Sequence, residues 1–225
     1  LSLTSSRILR VFKLISIVRN KKYDSIINIH RFASSGMITA LSGARNKIGF
    51  KKNPWAFAFT HAVQHDLSGK LHEIDRNQSL IESITDKQRE LPKLFPSKTD
   101  FDTVSKFKVG IYICVAPTSV WFTKQFPANQ WIDFIKSVPI HYGRIYLLGA
   151  PTDKEVCESI RNATANDRVY NLAGQLSFLE SAALMKDATM NYVNDSAPMH
   201  LASAMNAPVA AIFCSTVPDF GFGPL

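Results

Sequence analysis

The chain has 225 residues, 46% of them hydrophobic, and a formal net charge of +8. That is enough apolar material for one large domain or two smaller ones. The three cysteines, Cys114, Cys157 and Cys214, are scattered and odd in number, so they form neither a disulfide framework nor a metal-binding spacing and point to a reducing compartment. No run of about 18 apolar residues is present, so no membrane-spanning helix is expected. The apolar stretch Val11–Val18 is broken by Lys13 and is not a signal-peptide core. The chain opens on Leu1 and stops at the turn-like Phe220-Gly-Phe-Gly-Pro-Leu225, which reads as a fragment of a longer protein.

The charge is unevenly placed. Residues 1–52 hold eleven Lys and Arg against one acid, Asp24, a net +10 that leaves −2 for the rest of the chain. A basic first part suits an anionic partner, whether phosphorylated lipid, nucleic acid or a membrane surface. A solvated helix face would carry the same composition.

In chain order, Ile8, Leu9, Phe12, Ile15 and Val18 fall near helical spacing and predict an amphipathic helix over 8–18. Tyr23–Ile29 is a short β-branched run, a buried strand. Ser34–Leu41 reads as a helix ended by Gly43, and Lys47–Phe50 as a second short strand. Residues 53–70 look irregular, and Glu73–Ser83 helical. Glu90–Asp100, with two prolines and no periodicity, is the best linker candidate. The domain division that follows is a first domain over 1–95, a linker over 96–105 and a second domain over 106–225. Beyond the linker the rhythm is regular. Strands are expected at 108–116, 144–148, 169–170, 188–193 and 208–213. Helices are expected at 129–138, 153–162, 178–186 and 199–205. This alternation implies an α/β fold with a parallel, doubly wound sheet. Capping boxes are expected at Thr152-x-x-Glu155 and Ser177-x-x-Glu180.

Four segments could carry chemistry. After the strand ending at Ala116, Thr118 and Ser119 offer hydroxyls and Lys124 an ammonium, groups that hold a diphosphate and neutralise a leaving group. After the next strand, Gly149 and Ala150 permit close backbone approach, and Asp153 either binds a ribose hydroxyl or favours a helix start. Gly174 in Asn171–Ser177 marks a turn. In the fourth, Tyr192–Met205, a strand runs into Asn194-Asp195-Ser196, and Pro198 opens a helix with His200 in its first turn. The unpaired N–H groups of a helix start favour an anion, and an acid, a hydroxyl and an imidazole beside them suggest a phosphate-bearing sugar donor. No Ser-His-Asp constellation, P-loop or zinc spacing is present.

Taken together, Pro117-Thr-Ser … Lys124-Gln-Phe-Pro127 … Trp131, Leu148-Gly-Ala-Pro-Thr-Asp153, Asn171-Leu-Ala-Gly174 … Leu179, Asn194-Asp-Ser-Ala-Pro-Met-His-Leu-Ala202 and Ala211-Ile-Phe213 … Gly223-Pro224 resemble the ADP-heptose:lipopolysaccharide heptosyltransferases of glycosyltransferase family 9. The match is close over 106–225. It is looser over 1–90, where Lys22–Ile29 and Ala44–Phe50 resemble the middle of the family's first domain. The resemblance implies two Rossmann-like domains of the GT-B type, the first incomplete, with the donor nucleotide in the second. It implies inverting transfer of a heptose from ADP-heptose to an anionic lipopolysaccharide inner core, with no metal and no cofactor. Work at the cytoplasmic face of the inner membrane, in peripheral contact with it, is implied too. Lys124 and Asp195 would be the catalytic pair. Thr118, Ser119, Gly149, Asp153, Ser196, Ala197, Pro198, Met199 and His200 would hold the donor.

The chain departs from the family pattern in several places. Ala197 stands where the family usually has Gly, and Gln125 where it usually has Arg. The family's first strand and Gly-Asp turn, which supplies a carboxylate suited to general-base work, have no counterpart, and the closing C-terminal segment is absent. The expectation is therefore that the base lies outside this chain and that the fragment alone is inactive. The alternatives are another nucleotide-sugar glycosyltransferase of the same fold and a non-catalytic basic module gripping nucleic acid or acidic lipid. No interleaved basic-aromatic groove is evident, so no nucleic-acid partner is expected.

Overall fold

A computed structural model describes residues 2–66, 68, 71–86 and 88–224, with side chains from position 8 onward. The chain divides into two compact units, Leu1–Glu90 and Leu91–Leu225. No helix among the described residues is long and apolar enough to cross a membrane.

In the first unit, α1 (Ser2–Asn20) leads to β1 (Ser25–Asn28), α2 (Ala33–Ala40), β2 (Asn46–Phe50), β3 (His61–Val63) and α3 (Glu73–Gln78). The strands form a parallel sheet in the order β1-β2-β3. The helix expected over 8–18 is present and longer. Ile15 is its buried apolar residue, while Ile8, Leu9 and Phe12 stay exposed. Strand β3 falls inside the stretch read as irregular. At three residues it is too short to show an alternation of its own, and its pairing with β2 defines it. Helix α3 stops at Gln78, five residues before the expected end, and residues 79–85 continue as turns.

The second unit holds α4 (Lys98–Ser105), β4 (Tyr112–Ala116), α5 (Ala128–Ser137), β5 (Arg144–Leu147), α6 (Lys154–Thr164), β6 (Val169–Asn171), α7 (Phe178–Lys186), β7 (Asn191–Asn194), α8 (Ala197–Ala204) and β8 (Val209–Ile212). All five strands are parallel, in the order β6-β5-β4-β7-β8. Helix α4 occupies most of the stretch expected as a linker, 96–105. Ser97 and Asp100 form a capping box that starts it, and Val104 buries it in the core shared with α7 and α8.

The fully buried run Tyr112–Ala116 shows why this sheet is doubly wound. Alternate strand residues face opposite sides. Tyr112, Cys114 and Ala116 join a core with Ala183, Leu184, Met185, Met199 and Ala202, so α7 and α8 cover that face. Ile113 and Val115 join Trp131, Ile135, Cys157 and Ile160, which puts α5 and α6 on the other. A strand buried on both faces has no polar side to present, and β4 reads as an unbroken apolar run.

The Ser177–Glu180 capping box forms as expected. The one expected at Thr152 does not. Residues Pro151–Asp153 make a 3₁₀ turn, and Asp153 Oδ2 accepts from the N–H of Ala150 at 2.7 Å. The proline-led turn places the carboxylate, not the Thr152 hydroxyl, against free backbone donors.

Candidate functional site

Because the five strands of the second unit are parallel, their carboxyl ends meet along one edge, and the loops after β4, β5, β6, β7 and β8 all leave from it. The chain winds from β4 to β5 to β6 in one direction, then crosses back to place β7 on the other side of β4. The β4–β7 boundary is thus the topological switch point, where open α/β sheets form their ligand crevice. Lys124 follows β4 and Asp195 follows β7, and the register of Ala116 opposite Val193 puts the two loops side by side.

There Lys124 Nζ lies 2.6 Å from Asp195 Oδ2, their side chains 28% and 5% exposed. The hydroxyl of Thr216, from the loop after β8, donates to the same Oδ2 at 2.6 Å. Burial pushes the Asp195 carboxyl up. The hydrogen bonds from Lys124 and Thr216, with the charges of Lys124 and His200, outweigh it and hold the group below the ordinary carboxylate range. Asp195 is therefore a fixed anion, held by its neighbours rather than by water.

The Lys124 loop is itself braced. The N–H of Phe126 donates to Asn194 Oδ1 at 3.1 Å across the β4–β7 boundary. The amide of Gln125 donates to the Ser119 carbonyl at 2.6 Å, so this departure from the family pattern closes the loop on itself. Thr118 and Ser119 sit half-buried in that loop. Its outer residues Val120, Trp121 and Phe122 are 99%, 69% and 84% exposed, an apolar stretch beside the site.

Ser196 is extended at the start of α8 and does not cap it; its hydroxyl donates instead to the Asn194 carbonyl at 3.4 Å. Among the described residues no side-chain hydrogen bond caps the helix start, whose dipole favours an anion. Ala197 and His200 are exposed there and Pro198 is half-buried. Met199 differs. Its side chain is fully buried in the core and its N–H bonds Ser196, so it supports the helix and does not line the site. The helix phase that exposes Ala197 and His200 turns Met199 and Ala202 inward.

Gly149 and Asp153 stand one loop away. A Cβ on Gly149 would come within 2.9 Å of the Asp153 Cβ, and one on Gly174 (φ +74) within 2.7 Å of the Pro151 Cα. The N–H of Gly174 donates to the Gly149 carbonyl at 2.9 Å. These glycines let the loops after β5 and β6 close on each other. The bond from Ala150 gives Asp153 a turn-forming role.

Sequence reasoning quoted Asn194 within the motif but gave it no role, and it missed Thr216, which has no local signal. Asn194 ends β7 fully buried, and Thr216 reaches Asp195 because Asn194 pairs with Ile212 in register. No cluster of three or more His, Cys, Asp or Glu suited to a metal occurs among the described residues.

The family described as glycosyltransferase family 9 (heptosyltransferase) matches residues 11–225. Lipopolysaccharide heptosyltransferase 3 of Escherichia coli K12 is 26% identical over 230 residues, covering 95% of this chain and 65% of that protein. This chain therefore spans just under two thirds of that relative's length. Lipooligosaccharide heptosyltransferase 2 of Haemophilus influenzae is 34% identical over 108 residues, 42% of this chain and 30% of its own. The solved ADP-heptose lipopolysaccharide heptosyltransferase II of E. coli aligns with a TM-score of 0.79 at 21% identity, over 97% of this chain and 71% of that one. An E. coli heptosyltransferase solved with ADP gives 0.72 at 17% identity, over 96% and 68%. These structures share the α/β arrangement of parallel sheets, the GT-B type of fold. With a family match across nearly its whole length and a fold that follows it, the chain belongs to glycosyltransferase family 9, the heptosyltransferases.

Proposed function

We propose that this protein transfers a heptose from ADP-heptose to the inner core of lipopolysaccharide with inversion at the anomeric carbon. The observation that carries the reading is the Lys124–Asp195 pair at the switch point, beside a helix start that no side chain among the described residues caps. A nucleoside diphosphate fits this edge. Its negative charge meets the N-terminus of α8 and Lys124, and the loop hydroxyls of Thr118 and Ser119 stand on the same strand exit. As the acceptor hydroxyl gives up its proton to a general base other than Asp195 and its oxygen attacks the anomeric carbon, the bond to the diphosphate breaks and charge grows on the leaving oxygen. Lys124 and His200 are the groups placed to neutralise it.

Asp195 is assigned to hold the donor sugar rather than to deprotonate the acceptor. A carboxylate held below its ordinary range by two donors is a poor base at neutral pH. The net +10 of residues 1–52 supports the first unit as the acceptor side, facing the anionic inner core. The same basic segment and the exposed Val120-Trp121-Phe122 support peripheral contact with the cytoplasmic face of the inner membrane.

ADP and ADP-heptose are expected to raise the thermal midpoint of the protein where UDP and GDP do not. In the full-length protein, Asp195→Ala is expected to abolish heptose transfer to a heptose-deficient lipopolysaccharide, by about 10³-fold or more. No shift with ADP, or an Asp195→Ala variant that transfers normally, would sink the reading.

A further inference from the structure

The carboxylate of Asp195 is bonded unevenly. The Lys124 ammonium and the Thr216 hydroxyl both reach Oδ2, each at 2.6 Å. The backbone N–H of Asp195 is taken by the Ile212 carbonyl at 3.1 Å. Both of the side-chain bonds go to Oδ2, and no hydrogen bond to Oδ1 is seen among the described residues, which leaves Oδ1 as the oxygen for a ligand to engage. A carboxylate with one oxygen held from two directions cannot swing about its Cβ–Cγ bond without losing both donors. Its second oxygen is therefore presented in a fixed direction.

We propose that Thr216 is a positioning residue for the donor sugar: by holding Oδ2 of Asp195 it presents Oδ1 as the acceptor for a sugar hydroxyl of the nucleotide sugar. The role rests on the donor-site reading above and adds a division of labour to it. A bound diphosphate competes for the Lys124 ammonium, the one cation of the pair. Thr216 is neutral, has no attraction for the diphosphate beyond a single hydrogen bond, and remains on Oδ2 when Lys124 turns to the leaving group. Its contribution is thus felt through the sugar and not through the nucleotide.

That asymmetry is measurable. Calorimetric titration of the whole chain with ADP and with ADP-heptose, for the unaltered protein, Thr216→Val and Thr216→Ser, separates the two halves of the ligand. Thr216→Val is expected to weaken ADP-heptose about 10-fold while changing ADP less than about 2-fold. Thr216→Ser, which keeps the hydroxyl, is expected to restore most of the loss. With one donor gone, the Asp195 carboxyl also protonates at higher pH, so the preference for ADP-heptose over ADP fades earlier on acidification in Thr216→Val. A Thr216→Val variant that weakens both ligands equally, or neither, overturns the role of Thr216 and leaves the donor site standing. Failure of the unaltered chain to bind either ligand overturns the donor site and this role with it.

Discussion

The two units are built by opposite means. The second has a sheet covered on both faces, with Trp131, Ile135, Ile145, Leu147, Cys157, Leu184, Met185 and Val193 at or near zero exposure. The first, among its described residues, has a small buried cluster, Ile48, Phe50 and Leu80, and leaves Ile8, Leu9, Phe12 and Ile17 of α1 open to solvent. Its order comes from buried polar side chains instead. Asn53 donates to the carbonyls of His30 and Phe32 at 3.1 and 3.2 Å and accepts from the N–H of Trp55 at 2.9 Å. Arg76, 5% exposed, pairs with Glu73 at 2.8 Å. An apolar core is non-directional and tolerates the polar loops of a site along its edge. A polar framework fixes loops one bond at a time and fails when one partner is lost.

The largest expected effect breaks that contrast at its strong side. Trp131 is fully buried and packs edge-on against Phe126, their ring centres 5.3 Å apart. Trp131→Ala is expected to cost about 3–5 kcal/mol, lost from the second unit. Amide exchange would then show β4–β8 protection falling while that of β1–β3 holds. Equal loss in both units would mean that they unfold as one.

Acidification separates the units in the opposite order. His65 follows β3 and is 6% exposed. Burial lowers its pKa from 6.5, and the charges of Arg31, Arg76 and Lys52 lower it further against the opposing pull of Glu73. The unfolded chain therefore binds a proton that the folded first unit resists. Stability drops as pH falls through about 6.5, and the full penalty is reached below the folded-state value. Asp195 behaves conversely. Its depressed carboxyl contributes stability throughout the neutral range, and that stability is lost only as pH falls through the lowered folded value. The first unit is thus expected to begin losing amide protection as pH falls below about 6.5, before the second. His65→Leu is expected to remove that early loss. A first unit as resistant to mild acid as the second would contradict the account.

The legibility of the chain follows the same contrast. In the second unit, strand–helix alternation was readable because each element is driven by its own apolar pattern, and Lys124 and Asp195 stood out because each follows a strand end. Thr216 was invisible. Nothing in Cys214-Ser-Thr216 marks a site until the β7–β8 register carries it to Asp195. The inward turn of the Met199 side chain was not legible because adjacency in sequence does not set helix phase, and Ala202 about one turn on shares the inward face. In the first unit, β3 escaped because an edge strand of three residues is defined by its neighbour rather than by its own side chains. Helix α4 escaped because Pro92 and Pro96 just before it argued for linker, while its start signal was a capping box with an Asp in place of the usual Glu.

That capping box offers the finest test of where the second unit begins. Ser97 Oγ accepts from the N–H of Asp100 at 3.3 Å, and Asp100 Oδ2 accepts from the N–H of Ser97 at 2.7 Å. Together they satisfy two of the donors that a helix start leaves open. The segment before them, 90–97, contributes no helix or strand, so α4 enters the core through this cap and Val104 alone ties its far end at zero exposure. Ser97→Ala is expected to cost about 1 kcal/mol. If α4 belongs to the second unit, that loss is read in the unfolding of β4–β8. If 96–105 acts as a linker, the same substitution frays α4 locally and leaves the midpoint of the second unit where it was. Calorimetry of the variant, set beside exchange at residues 98–105, tells a helix that is part of the core from one that only rests against it.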